Sequence, residues 1–131
     1  MYLELIKDDK AKVFVKKLEE MFESEEVSKL TGEDADEYRK YVTVMKENAV
    51  NYAKMRASWE FFSREEKIKK DDMRTGLHND FMTSLKLLIR LANLHSDNKW
   101  TDLLNEAESM QRKDLGDIAC YITYLISVSN R

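Results

Sequence analysis

The chain has 131 residues, a net charge of −3, 43% hydrophobic and 36% charged residues, no proline and three glycines. That length suits one domain rather than two, and the shortage of turn residues excludes a sheet protein built from hairpins. The near-neutral balance demands no polyanionic partner, and the single cysteine excludes an intrachain disulfide, which fits a reducing cytoplasm.

The N-terminal stretch MYLELIKDDKAK has no long apolar core, so no signal peptide is expected. No run of about 18 apolar residues marks a membrane span. A first helix is predicted from Asp8 or Asp9, whose carboxylates can cap free backbone N–H groups. Ala11, Phe14, Val15, Leu18, Met21 and Phe22 recur at helical spacing and form one buried stripe. Met1 to Ile6 is apolar enough to pack as a leader. SEEVSKLTGED breaks the pattern, with Gly32 as its clearest stop. Residues 19–37 carry nine acids (Glu19, Glu20, Glu23, Glu25, Glu26, Glu33, Asp34, Asp36 and Glu37) against one base, Lys29. Such a surface repels phosphate backbones.

A second helix is predicted from about Asp34 to Phe62. Its stripe runs through Tyr38, Tyr41, Val42, Met45, Ala49, Tyr52, Met55 or Arg56, and Trp59. A stripe this rich in tyrosine serves equally as core or as interface. Ser63 and Glu66 then have capping-box spacing, opening a new helix or a kinked continuation. From Leu77 to His95 the chain is apolar almost all round, as expected of the central helix of a bundle. HSDNK reads as a loop. A short helix follows from Thr101 to about Gln111, and a last one from about Lys113 to Val128. The last helix has a main stripe of Leu115, Ile118, Ala119, Ile122, Leu125 and Ile126. Its second side, Cys120, Tyr121, Tyr124 and Val128, needs a further partner, and a second copy of the chain would serve.

The stretch DDMRTGLHND, residues 71–80, holds the candidate polar site. Helical spacing sets Arg74 close to the Leu77/Phe81 stripe, His78 at its edge and Asp80 at the opposite edge. A partly buried Arg74 needs a carboxylate, which Asp71, Asp72 or another helix can supply. The plain interpretation is a helix entry with a structural ion pair. The functional one is a polar pocket of Arg74, His78 and Asp80 for an anionic ligand or a partner's carboxylate. His78 has no second ligand four residues away, so no metal site is predicted. Gly76 reads as a point of close packing or a kink, and His95 as a cap for the last helix carbonyls.

KDLGDIACYI, residues 113–122, resembles one helix of the all-α nucleotide pyrophosphohydrolases. The resemblance implies Mg²⁺ held by carboxylates spaced i, i+3 on two helices and hydrolysis of nucleoside triphosphates. Asp114 and Asp117 would form one pair, and Glu20 with Glu23 or Glu23 with Glu26 the other. On helical spacing, however, Asp117 points roughly 145° from the Leu115/Ile118/Ile122 stripe. Glu20 likewise lies opposite Leu18 and Met21, so these acids also read as solvated faces.

There is no GxSxG, no phosphate-binding glycine loop and no CxxC, and Cys120 reads as a packed lone thiol. REEKIKKDDMR mixes its bases with four acids, so no nucleic-acid partner is expected. As a whole, the chain resembles small all-helical families of bacteria and their phages. The expectation is a single all-α domain over 1–131, a bundle of four to five helices around a central apolar helix near 77–94. It is expected to be cytoplasmic, without cofactor or membrane contact. Its expected role is that of a non-catalytic interaction or regulatory protein, partnered by itself as a homodimer or by another protein. The alternative is a metal-dependent nucleoside triphosphate pyrophosphohydrolase.

Overall fold

Asp8 opens the first helix by accepting the backbone N–H groups of Lys10 and Ala11 at 2.8 and 3.2 Å. A computed structural model describes Ile6 and residues 8–129, the side chain of Ser129 excepted. Among these residues the chain forms α1 (Asp9–Phe22), α2 (Glu25–Ser28), α3 (Gly32–Trp59), α4 (Arg64–His95), α5 (Thr101–Glu108) and α6 (Arg112–Ser129), with no strand. The fold is an all-α bundle. Of the predicted apolar leader only Ile6 is described, and it is fully buried.

The α1 stripe is the expected one: Ala11, Phe14, Val15, Leu18 and Met21 are all buried. The one-turn α2 has too few residues to show a period, and it buries Val27. Gly32 has φ +59°, a left-handed conformation that glycine adopts without a Cβ penalty. It redirects the chain and begins α3 two residues before the predicted start.

Backbone bonds from Phe61 to Ser58 and from Phe62 to Trp59 end α3 in a tight turn. Ser63 and Glu66 then form the capping box, at 3.1 and 3.3 Å, so α4 is a new helix. It runs unbroken for 32 residues, about 48 Å at 1.5 Å per residue. Gly76 therefore does not break the helix, and no atom lies near enough for it to be a close-packing point.

Contacts climb along α3 as they descend α4, from Asn48 on Asp80 to Tyr52 on His78 and Trp59 on Arg74. The two long helices are thus antiparallel. α6 packs antiparallel on α3, and α1 closes the far side through Tyr121 on Glu19 and Lys17 on Glu106. One core joins all of them, centred on Phe14, Met45, Phe81, Leu88, Leu115 and Ile118. α4 is less enclosed than its sequence implies: Leu87 and Leu94 are 41% and 73% exposed. Leucines on that side stay in water because the other helices do not surround it.

His95 does not cap α4. The backbone N–H groups of Ser96 and Asn98 donate to the Asn93 carbonyl at 3.2 and 3.0 Å, while the buried Asn93 side chain ties the helix end to α5: its Oδ1 accepts the Trp100 N–H at 2.7 Å and its Nδ2 donates to Thr101 at 3.2 Å. Asp97 and Asn98, with φ of 54° and 64°, turn the chain into α5. Among the described residues no helix is long and apolar enough to cross a membrane.

Candidate functional site

The α3 stripe alternates Tyr52, Arg56 and Trp59 along the side that faces α4 and α6, where the two partner helices diverge. Arg56 donates from Nη2 to Asp117 Oδ1 at 3.0 Å and from Nη1 to the Lys113 carbonyl at 3.4 Å. It reaches α6 because residue 116 is glycine: a Cβ there would lie inside the Arg56 guanidinium. Across the gap, Arg74 lays its guanidinium over the Trp59 ring, 3.9 Å from its centre. Nη2 donates to Asp71 at 2.9 Å, while Nε is buried with no partner.

One turn further along α4, His78 is buried and meets Tyr52 edge-on at 5.5 Å between ring centres. Its Nδ1 lies 3.1 Å from Asn79 Oδ1, and its Nε2 is buried without a partner. Arg112 and Lys113, at the start of α6, close the other wall, where Arg112 donates to the Thr75 hydroxyl at 3.3 Å. Together with Glu60 these groups line a cleft of about 370 Å³.

Arg74 belongs to this cleft, and His78 stands behind its Tyr52 wall. Asp80 does not belong to it: its side chain is exposed, and its backbone carbonyl accepts from Asn48. Arg56, Arg112 and Lys113 were not singled out by the sequence pattern. Arg56 shared a stripe position with Met55, and the other two belong to a different helix far along the chain. Gly116 within a strong helix was the one available sign of close approach.

The second candidate, on α6, divides. Tyr121 turns inward, 3% exposed, and donates to Glu19 at 2.6 Å, so it joins the core rather than a surface. Cys120 is exposed, not packed as its apolar neighbours suggested, although partial burial of its sulfur raises the thiol pKa, with Arg56 opposing that and Asp117 adding to it. Tyr124 is 40% exposed. Val128 lines an open apolar groove of about 640 Å³ between α3 and α6, with Tyr38, Val42, Met45, Ile122 and Ile126. The Tyr38 hydroxyl is buried in this region without a partner, and burial pushes its pKa up to about 12.

The acids that carried the hydrolase resemblance lie apart. Asp117 is bound to Arg56, Asp114 is buried, Glu20 is exposed on α1 and Glu23 just after it, and Glu26 is 3.6 Å from Lys99. Among the described residues no three His, Cys, Asp or Glu side chains come together as metal ligands. The chain matches no family model, no curated protein and no solved structure.

Proposed function

We propose that the protein is a non-catalytic interaction protein that pairs with a second copy of itself across the α3/α6 face. The observation carrying this is the apolar groove between those helices, with the acidic segment toward one end of α3. The half-buried Val42, Leu125, Ile126 and Val128 leave apolar surface open to water, and burying such surface drives association.

Charge then selects the occupant. The acids of residues 19–37 lie about the start of α3, whereas Lys54 and Arg56 lie toward its other end, roughly 35 Å away at 1.5 Å per residue, where bases and acids alternate. A two-fold axis crossing α3 at the level of residue 44 sets Glu33 and Asp34 of each copy level with Lys54 and Arg56 of the other. The same attraction is then made twice, as an isologous interface requires. The hydrolase reading draws no comparable support, because its carboxylates lie apart.

Sedimentation equilibrium at about 50 µM, a concentration that populates a dimer of micromolar Kd, tests this. The expected mass is twice 15.5 kDa. Val42→Glu and Ile126→Asp, at half-buried groove positions, are expected to give 15.5 kDa with unchanged helicity. A single-chain mass for the wild type ends the proposal.

A further inference from the structure

The cleft at the opposite end of α3 from the acidic residues has a different chemistry from the groove. Four cationic side chains meet there from three helices: Arg56 from α3, Arg74 from α4, and Arg112 and Lys113 from α6. Glu60 is the one acid among the lining residues. Asp117 and Asp71 stand beside Arg56 and Arg74 and hold each guanidinium in place, at 3.0 and 2.9 Å. A guanidinium fixed on one edge presents its remaining N–H groups in a set direction. Arg112 reaches only a neutral hydroxyl, and Lys113 makes no ion pair. One buried donor nitrogen among the lining residues, Arg74 Nε, has no acceptor. An unmet buried donor is unfavourable, so a cleft that holds one among four cationic side chains fits a ligand that supplies acceptors.

The geometry points to a binding site for the phosphate group of a small phosphate monoester. A planar carboxylate is satisfied by one guanidinium edge. Donors arriving from three directions suit a tetrahedral group with three terminal oxygens and close to two negative charges. The cleft's volume of about 370 Å³ exceeds the needs of a bare ion and leaves room for a small organic body against Tyr52 and Trp59. This assignment does not rest on self-association, since every lining residue comes from one chain.

Isothermal titration of the full chain with inorganic phosphate, phenyl phosphate and acetate, at constant ionic strength, tests it. The protein is held at a concentration where sedimentation gives a single species, whichever species that is. Phenyl phosphate is expected to bind one per chain and more tightly than inorganic phosphate, with no saturable heat from acetate. Arg112→Ala and Lys113→Ala change exposed residues, so the fold survives; each is expected to weaken phenyl phosphate about tenfold, the loss of one charge-assisted hydrogen bond. Lys69→Ala, an exposed change away from the cleft lining, leaves binding unchanged. Acetate binding as well as phosphate, inorganic phosphate binding while phenyl phosphate does not, no saturable binding by either phosphate, or variants that bind like the wild type would each overturn the proposal.

Discussion

At Gly116 the missing side chain is what lets the Arg56 guanidinium lie against α6. Glycine inside a helix costs about 1 kcal/mol relative to alanine, so Gly116→Ala would ordinarily stabilise. Here the methyl group displaces Arg56 and breaks its half-buried bond to Asp117. The expected outcome in urea titrations is no net gain, or a loss, for Gly116→Ala alone. In an Arg56→Ala background the same substitution is expected to gain about 1 kcal/mol. Tyr38 gives a pH effect of known sign. Burial raises its pKa from 10.0 to about 12, so the folded protein keeps a proton that the unfolded chain releases in that interval. Its contribution is fully present below pH 10 and is lost as pH rises through about 12. Tyr38→Phe is expected to flatten that part of the loss, read as urea midpoints at pH 9 and pH 11 for the two proteins.

Helices with local signals were legible residue by residue. Asp8 and the Ser63/Glu66 box act within three residues of themselves, so sequence alone reveals them. The α1 stripe was legible because a single buried face repeats at the helical period. α2 escaped because one turn has no period, and the end of α4 because Asn93, not the conspicuous His95, supplies the bonds to the next segment. Gly76 illustrates the remaining gap. Glycine within a helix suggests a function at that point, yet here it is exposed with open space around it. Gly76→Ala is therefore expected to raise stability by about 0.5–1 kcal/mol, measured as a higher urea midpoint with unchanged slope. A loss instead would mean that α4 bends at this glycine in solution.

Across the whole molecule, the cleft was the least legible feature because it is made between distant segments. Arg56 and Asp117 are 61 residues apart, and Arg112 and Thr75 are 37 apart. Periodicity gives a helix face but not the face it meets, so Arg74 and His78 were found while their partners from α3 and α6 were not. The acidic segment 19–37 was visible in the sequence, and the long antiparallel helices set it at one end of the bundle. Most of the ion pairs are exposed and contribute little to stability singly. Their net distribution acts at longer range, so the proposed dimer is expected to weaken as salt screens the attraction between ends. The two tryptophans have a practical consequence. Trp59 lies under Arg74 in the cleft wall, whereas Trp100 is tied to Asn93 near the far end of α4. They stand roughly 30 Å apart along that helix at 1.5 Å per residue. The protein thus carries an indole at each end, and with Trp59→Phe the tryptophan emission that remains, excited at wavelengths where tyrosine does not absorb, comes from the α4–α5 corner alone.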